Sequence, residues 1–183
     1  MIVGVGGQGT LLASRILGKV AIKEGYDVKV SEVHGMSQRG GSVVTYVKYG
    51  DKVYSPIIDR GEADLILAFE MLEAMRALPY LKKGGKMIAN TQKMNPMPVI
   101  TGAMEYPENI EEKLSAKSNL QAVDALSLAE KAGTIKAVNV VLIGLLAKSM
   151  DVDKNVWIDV IKETVPEKFL DVNIKAFELG YEL

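Results

Sequence analysis

His34, Ser37, Gln38 and Arg39 fall together in the stretch Ser31-Glu32-Val33-His34-Gly35-Met36-Ser37-Gln38-Arg39-Gly40-Gly41-Ser42. An imidazole, a hydroxyl, an amide and a guanidinium thus share one short segment with Gly35, Gly40 and Gly41. A guanidinium can fork onto a phosphate, a carboxylate or a pair of backbone carbonyls, and flanking glycines let another backbone come close. A solvated loop with a surface arginine accounts for the same composition. His34 is the one histidine of the chain, so it is either a proton donor or a group that braces its own loop by a hydrogen bond. With no titratable partner in view, bracing is the simpler reading.

A second candidate lies at the start of the chain. Gly4-Val5-Gly6-Gly7-Gln8-Gly9 has the G-x-G-x-x-G spacing between an apolar run and an amphipathic segment. Glycines there permit a sharp turn, and the free N–H groups of the following helix attract an anion. Glu32 stands at the end of the next strand, where a dinucleotide fold places its ribose-binding acid. Alone, this suggests an NAD enzyme. The glycines could equally serve close packing of helix on strand. A dehydrogenase also needs an acid or base at its substrate, and His34 falls where such a fold holds the adenosine ribose, which leaves hydride transfer without a home.

Composition bounds the rest. A chain of 183 residues, 48% hydrophobic and 25% charged, fits a single globular domain over residues 1–183. The absence of cysteine excludes a thiolate zinc site, an iron–sulfur cluster, a disulfide and a cysteine nucleophile, and one histidine excludes a multi-histidine metal centre. No metal site is expected. Lys and Arg number 22 against 23 Asp and Glu, so no basic field invites nucleic acid. The opening has no basic leader of a signal peptide, and the apolar run of residues 137–147 is broken by Asn139 and too short to span a membrane. The expectation is a cytoplasmic protein.

These side chains need a scaffold. The pattern predicts a strand over residues 1–5 and a helix ending near Gly25, with Leu12, Ile16 and Val20 on one face. A second strand is expected at Val28-Lys29-Val30, a polar loop over residues 32–41, and a third strand over residues 42–49. Residues 65–69 read as a strand buried on both faces, residues 70–81 as a helix, and residues 86–90 as a strand after the Gly84-Gly85 stop. Prolines in residues 94–107 suggest extended connections, and the C-terminal third is helical, with residues 135–149 buried and Trp157 and Phe177 in the core or an interface. The fold class is α/β: an open, doubly wound, mostly parallel, Rossmann-like sheet with a helical C-terminal third.

The residues quoted above also carry a family likeness. Gly4-Val5-Gly6-Gly7-Gln8-Gly9-Thr10 followed by Ala13-Ser14-Arg15-Ile16-Leu17 resembles the gamma-type domain of the 2-oxoacid:ferredoxin oxidoreductases. The loop from Ser31 to Val43 is closer to the small subunit of its indolepyruvate branch. Tyr54-Ser55-Pro56, Ala63-Asp64, Leu72-Glu73-Ala74, Pro79-Tyr80-Leu81, Asn90-Thr91, Asn173, Ala176, Phe177 and Gly180 extend the match along the chain. Ser37 departs from the usual alanine, and the first strand lacks a few leader residues.

The resemblance implies a subunit of an enzyme that oxidatively decarboxylates a 2-oxoacid, arylpyruvate or indolepyruvate, to acyl-CoA while reducing ferredoxin. Thiamine diphosphate, magnesium and 4Fe-4S clusters are then expected on a large alpha subunit, with coenzyme A as co-substrate. The residues agree that this chain is not active alone: Gly50-Asp51-Lys52 fails the Gly-Asp-Gly pattern that holds the diphosphate's magnesium. No catalytic residue is assigned within the chain beyond His34 as a candidate. Gly4, Gly6, Gly7, Gln8, Gly9, His34, Gly35, Ser37, Gln38, Arg39, Gly40 and Gly41 are the expected cofactor-binding or interface residues. A gamma subunit of pyruvate or 2-oxoglutarate ferredoxin oxidoreductase, a stand-alone dinucleotide-binding enzyme and a non-catalytic regulatory module are the alternatives.

Overall fold

The computed structural model describes residues 1–35, 37 and 40–183. Strand β1 (Ile2–Val5) is buried along its whole length, as its unbroken apolar run requires. It leads through the glycine turn into helix α1 (Thr10–Lys23), whose Ala13, Ile16, Leu17 and Val20 face inward. Then follow β2 (Asp27–His34), β3 (Ser42–Gly50) and β4 (Ala63–Ala68). Helix α2 (Met71–Ala77) ends in a 3-10 turn at Leu78–Tyr80 and is succeeded by β5 (Leu81–Asn90). Short helices α3 (Met97–Ile100) and α4 (Ile110–Ser115) precede β6 (Asn119–Val123). Four helices close the chain: α5 (Ala125–Ala132), α6 (Val138–Lys148), α7 (Lys154–Thr164) and α8 (Leu170–Tyr181).

The six strands form one mixed sheet in the order β2-β3-β1-β4-β5-β6. β1, β4, β5 and β6 run parallel, whereas β3 is antiparallel to both β1 and β2. The register Val5↔Ser42 and His34↔Val43 turns β2 and β3 into a long hairpin whose connecting loop sits at the carboxyl end of β1. Two of these strands, β2 and β5, depart from the sequence-based expectation of their bounds. β2 runs on to His34 instead of yielding to loop at Glu32, because pairing with β3 satisfies its backbone throughout. Gly84-Gly85 does not stop an element; residues 82–85 bulge out of β5 between the pairs Ala63↔Leu81 and Leu65↔Lys86.

One face of the sheet is covered by α1 and the C-terminal helices, the other by α2 and α4. α6 is buried at every position from Val138 to Ala147 and crosses α8 at backbone contact. A Cβ on Gly144 would lie 2.2 Å from the Phe177 carbonyl oxygen, and one on Gly180 would lie 2.0 Å from that of Val141. Among the described residues no helix is long and apolar enough to cross a membrane.

Candidate functional site

β1 and β4 are parallel neighbours, yet α1 leaves toward one face and α2 toward the other. The chain therefore diverges at their carboxyl ends, the topological switch point where open α/β sheets form their ligand crevice. Gln8 bridges this point. Its Oε1 accepts from the Val5 N–H at 2.8 Å, and its Nε2 donates to the Phe69 carbonyl at 3.1 Å and to Gln92 Oε1 at 3.3 Å. Buried Asn90 extends the chain of amides: its Nδ2 donates to Phe69 O at 3.2 Å and Gln92 Oε1 at 3.4 Å, while its Oδ1 accepts from the Ala125 N–H at 3.2 Å. Gln8 is thus engaged inside the protein and holds the turn.

The turn itself needs its glycines. Gly7 and Gly9 adopt φ of 103° and 86°, a region that L side chains avoid. A Cβ on Gly9 would also stand 2.5 Å from Asn139 Nδ2, which donates to the Gly9 carbonyl at 3.4 Å from the start of α6. Gly9 caps α1 without a side-chain hydrogen bond, and the first helical turn holds no acidic residue. Its N–H groups and the positive end of the dipole are therefore presented outward. The two sequence-predicted loops do come together: Gly6 N–H donates to the Gly41 carbonyl at 2.8 Å, and Gly40 N–H to the Gly6 carbonyl at 3.3 Å. A Cβ on Gly41 would lie 2.7 Å from the Ser37 carbonyl, so Gly41 packs directly against the Ser37 backbone. Gln38 and Arg39 lie outside the described residues.

A cleft of about 410 Å³ opens between the turn and the hairpin, lined by Gly6, Gly7, Thr10, Glu32 and His34 among others. Glu32 reaches it from β2, one strand further from β1 than a dinucleotide fold would place its acid, because β3 lies between. Its Oε2 accepts from the Thr45 hydroxyl at 3.3 Å. His34 donates from Nδ1 to the Gly35 carbonyl at 3.1 Å. The cleft thus offers backbone donors at one wall and a carboxylate at the other.

Two carboxylates that sequence reasoning missed lie beneath this edge. Glu70, 1% exposed, caps α2. Its Oε2 accepts from the Glu73 N–H at 2.9 Å, and its Oε1 from the Met94 N–H at 3.0 Å and the Tyr106 hydroxyl at 2.5 Å. Burial, then the Glu70 carboxylate, push the Tyr106 phenol well above the ordinary tyrosine range. Glu73 accepts from Ser42 Oγ and Arg76 Nη1, both at 2.5 Å, and so ties α2 to the exit of the glycine-rich loop. Glu70 and Asn90 each stand at the end of an apolar run, residues 65–69 and 87–89, the signal that marks them in the sequence; Glu73 and Asn139 carry no such mark.

The donor set does not fit an iron–sulfur cluster, since the chain has no cysteine, and among the described residues no three His, Asp or Glu side chains gather into a metal site. A family model described as pyruvate ferredoxin/flavodoxin oxidoreductase matches residues 1–183. The chain is 46% identical over 188 residues to the indolepyruvate oxidoreductase subunit IorB of Pyrococcus horikoshii, covering 98% of this chain and 92% of that protein. In structure it is similar to the gamma subunit of a keto/oxoacid ferredoxin oxidoreductase from Geobacter sulfurreducens, with a TM-score of 0.72, 25% identity and coverage of 99% and 94%. It also shares its fold with 2-oxoglutarate:ferredoxin oxidoreductase from Magnetococcus marinus, at a TM-score of 0.68 and 16% identity, where it covers 99% of this chain but 30% of that one.

Proposed function

The chain belongs to the pyruvate ferredoxin/flavodoxin oxidoreductase family as a small subunit of a 2-oxoacid:ferredoxin oxidoreductase, and from that premise we propose that its enzyme oxidatively decarboxylates arylpyruvates, indolepyruvate foremost, in the cytoplasm. Coenzyme A takes the acyl group and ferredoxin the electrons. Thiamine diphosphate, magnesium and the 4Fe-4S clusters belong on a large partner subunit, for which they supply carbanion formation and electron transfer. The single observation that supports the arylpyruvate branch is the full-length 46% identity to IorB of Pyrococcus horikoshii.

Within this chain the work is positioning. The uncapped start of α1 and the glycine turn face outward as backbone donors suited to an anion, for which a coenzyme A phosphate is the proposed guest. The loop carrying His34, Gly35, Ser37, Gln38, Arg39, Gly40 and Gly41 docks on the large subunit beside the active-site entrance, with Arg39 as the forked contact. Gln8, Asn90 and Asn139 hold that turn in place from behind.

Co-expression with the large subunit, followed by dye reduction with indolepyruvate, pyruvate and 2-oxoglutarate in parallel, tests the reading. Indolepyruvate is expected to give the highest kcat/KM, and preference for pyruvate or 2-oxoglutarate would reassign the branch. Arg39→Ala should weaken assembly or raise the KM for coenzyme A. Tight binding of NAD or FAD by the isolated chain would instead revive the dinucleotide enzyme.

A further inference from the structure

Glu73 stands in the first turn of α2, on the face of the sheet opposite to α1, with 5% of its side chain exposed. A carboxylate is unfavourable in such a place unless its oxygens are met by donors. Both are met: Oε2 accepts from the Ser42 hydroxyl and Oε1 from Arg76 Nη1, each at 2.5 Å. Because a carboxylate can only accept, it fixes both partners as donors, whereas the amide of a glutamine would turn its NH2 toward one of them. Arg76 is half exposed and three residues on in the same helix, so that bond is local. The bond to Ser42 is not. It runs from the helix that follows β4, past the carboxyl end of β1, to the first residue of β3, two strands away in the sheet.

Ser42 occupies the seam of the cleft at the glycine turn. It pairs with Val5, the last residue of β1. On one side of it the Gly41 carbonyl accepts from the Gly6 N–H, and on the other Val43 lines the cleft together with Gly6 and Gly7. Gln8 ties the turn to β4 through the Phe69 carbonyl, and Glu73 ties the facing wall to α2. We propose that Glu73, acting through the Ser42 hydroxyl, is a positioning residue that holds the start of β3 against the glycine turn and so fixes the aim of the N–H groups that meet the anion. The proposal rests on the reading above that this anion is a coenzyme A phosphate. Neither side chain lines the cleft, so the effect is exerted through the backbone of residues 41–43. With Ser42 untied, part of the binding free energy goes into ordering donors that are otherwise preset, and affinity falls although no contact to the guest has been removed.

The test is steady-state kinetics of the complex assembled with the large subunit, with coenzyme A and the oxoacid varied in turn. Ser42→Ala is expected to raise the KM for coenzyme A about fivefold, as the loss of one hydrogen bond to a carboxylate predicts, while kcat and the KM for the oxoacid stay within about twofold of wild type. Ser42→Thr, which keeps the hydroxyl, should bring the KM for coenzyme A back to within about twofold. Glu73→Gln should act in the same direction, and adding Ser42→Ala to it should change little, since both break the same bond. A KM for coenzyme A that Ser42→Ala leaves within about twofold of wild type overturns the proposal. So does a rise that Ser42→Thr fails to reverse, or a lower kcat at unchanged KM, the mark of a merely structural role. Leu11→Glu separates the proposal from the reading beneath it. Leu11 lines the cleft from the first turn of α1 and is 44% exposed, and a carboxylate there repels an anion. A KM for coenzyme A unmoved by Leu11→Glu brings down the coenzyme A reading, and the proposal with it; one raised by Leu11→Glu but not by Ser42→Ala brings down the proposal alone.

Discussion

Two ends of the molecule solve opposite problems with the same residue. At the crossing of α6 and α8, Gly144 and Gly180 remove side chains so that two backbones can touch, and everything around them is apolar and sealed. At the carboxyl ends of β1, β4 and β5, Gly7 and Gly9 adopt positive φ so that the backbone can turn and face outward, and the side chains that hold the turn, Gln8, Gln92 and Asn139, are polar. The first region has one way to pack. The second is held by side-chain amides and carboxylates whose partners are mainly backbone groups, so it can be rigid without being closed. A pairing surface or an anion site requires that combination.

Breaking the sealed end should have the largest effect. Gly144→Val places a branched Cβ where the Phe177 carbonyl and Tyr181 N–H already stand, and α6 cannot retreat because its whole circumference is buried. We expect a loss of about 4 kcal/mol or more, enough to leave the chain largely unfolded, read as a collapsed denaturation midpoint. A fall of less than about 1 kcal/mol would mean that the crossing is not tight.

At the open end the expected losses are smaller and more local. Glu70→Ala strands the Met94 N–H, the Tyr106 hydroxyl and the Glu73 N–H, for about 2–4 kcal/mol of stability. Hydrogen exchange should then rise at residues 94–106 while α6 stays protected, which separates a local latch from a global core residue. Gln8→Ala comes next, at about 1–2 kcal/mol, because it leaves the Val5 N–H and one bond to the Phe69 carbonyl unmet while Asn90 still serves the latter. Should the double variant lose clearly less than the sum of the two single losses, Gln8 and Glu70 would belong to one cooperative network and the edge would not be modular.

The sequence was legible where one short range of residues decides the outcome. An apolar run ending in glycines suffices for β1, its turn and α1, and an unbroken apolar helix suffices for the burial of α6. Pairing was not legible: Val28-Lys29-Val30 alternates as a strand, but alternation says nothing of its neighbour, and only the register with β3 shows why β2 reaches His34. β6 was overlooked because Asn119-Leu120-Gln121-Ala122-Val123 is a half-buried sheet edge with too little apolar character to announce itself. The prolines of residues 94–107 suggested extended chain, whereas Pro96 and Pro98 lie at the start of α3, where a helix accepts them. The Glu70 latch joins residues far apart in the chain, so no local pattern could disclose it.

The same latch gives the smallest and most selective prediction. The Tyr106 phenol is held protonated above its ordinary value near 10, first by burial and then by the adjoining carboxylate. An acid whose pKa is higher in the folded state binds its proton more tightly there than in the unfolded chain. Its stabilising contribution is therefore complete below pH about 10 and is lost as the pH rises from there toward the folded value, since the unfolded state gives up its proton first. Tyr106→Phe removes both the hydroxyl and this alkaline sensitivity. Its stability at neutral pH should fall by about 1 kcal/mol, and its decline between about pH 10 and 11 should be shallower than that of wild type in paired urea titrations. Parallel declines would place the phenol outside the latch and leave the Met94 N–H as the tie of residues 94–106 to Glu70 Oε1.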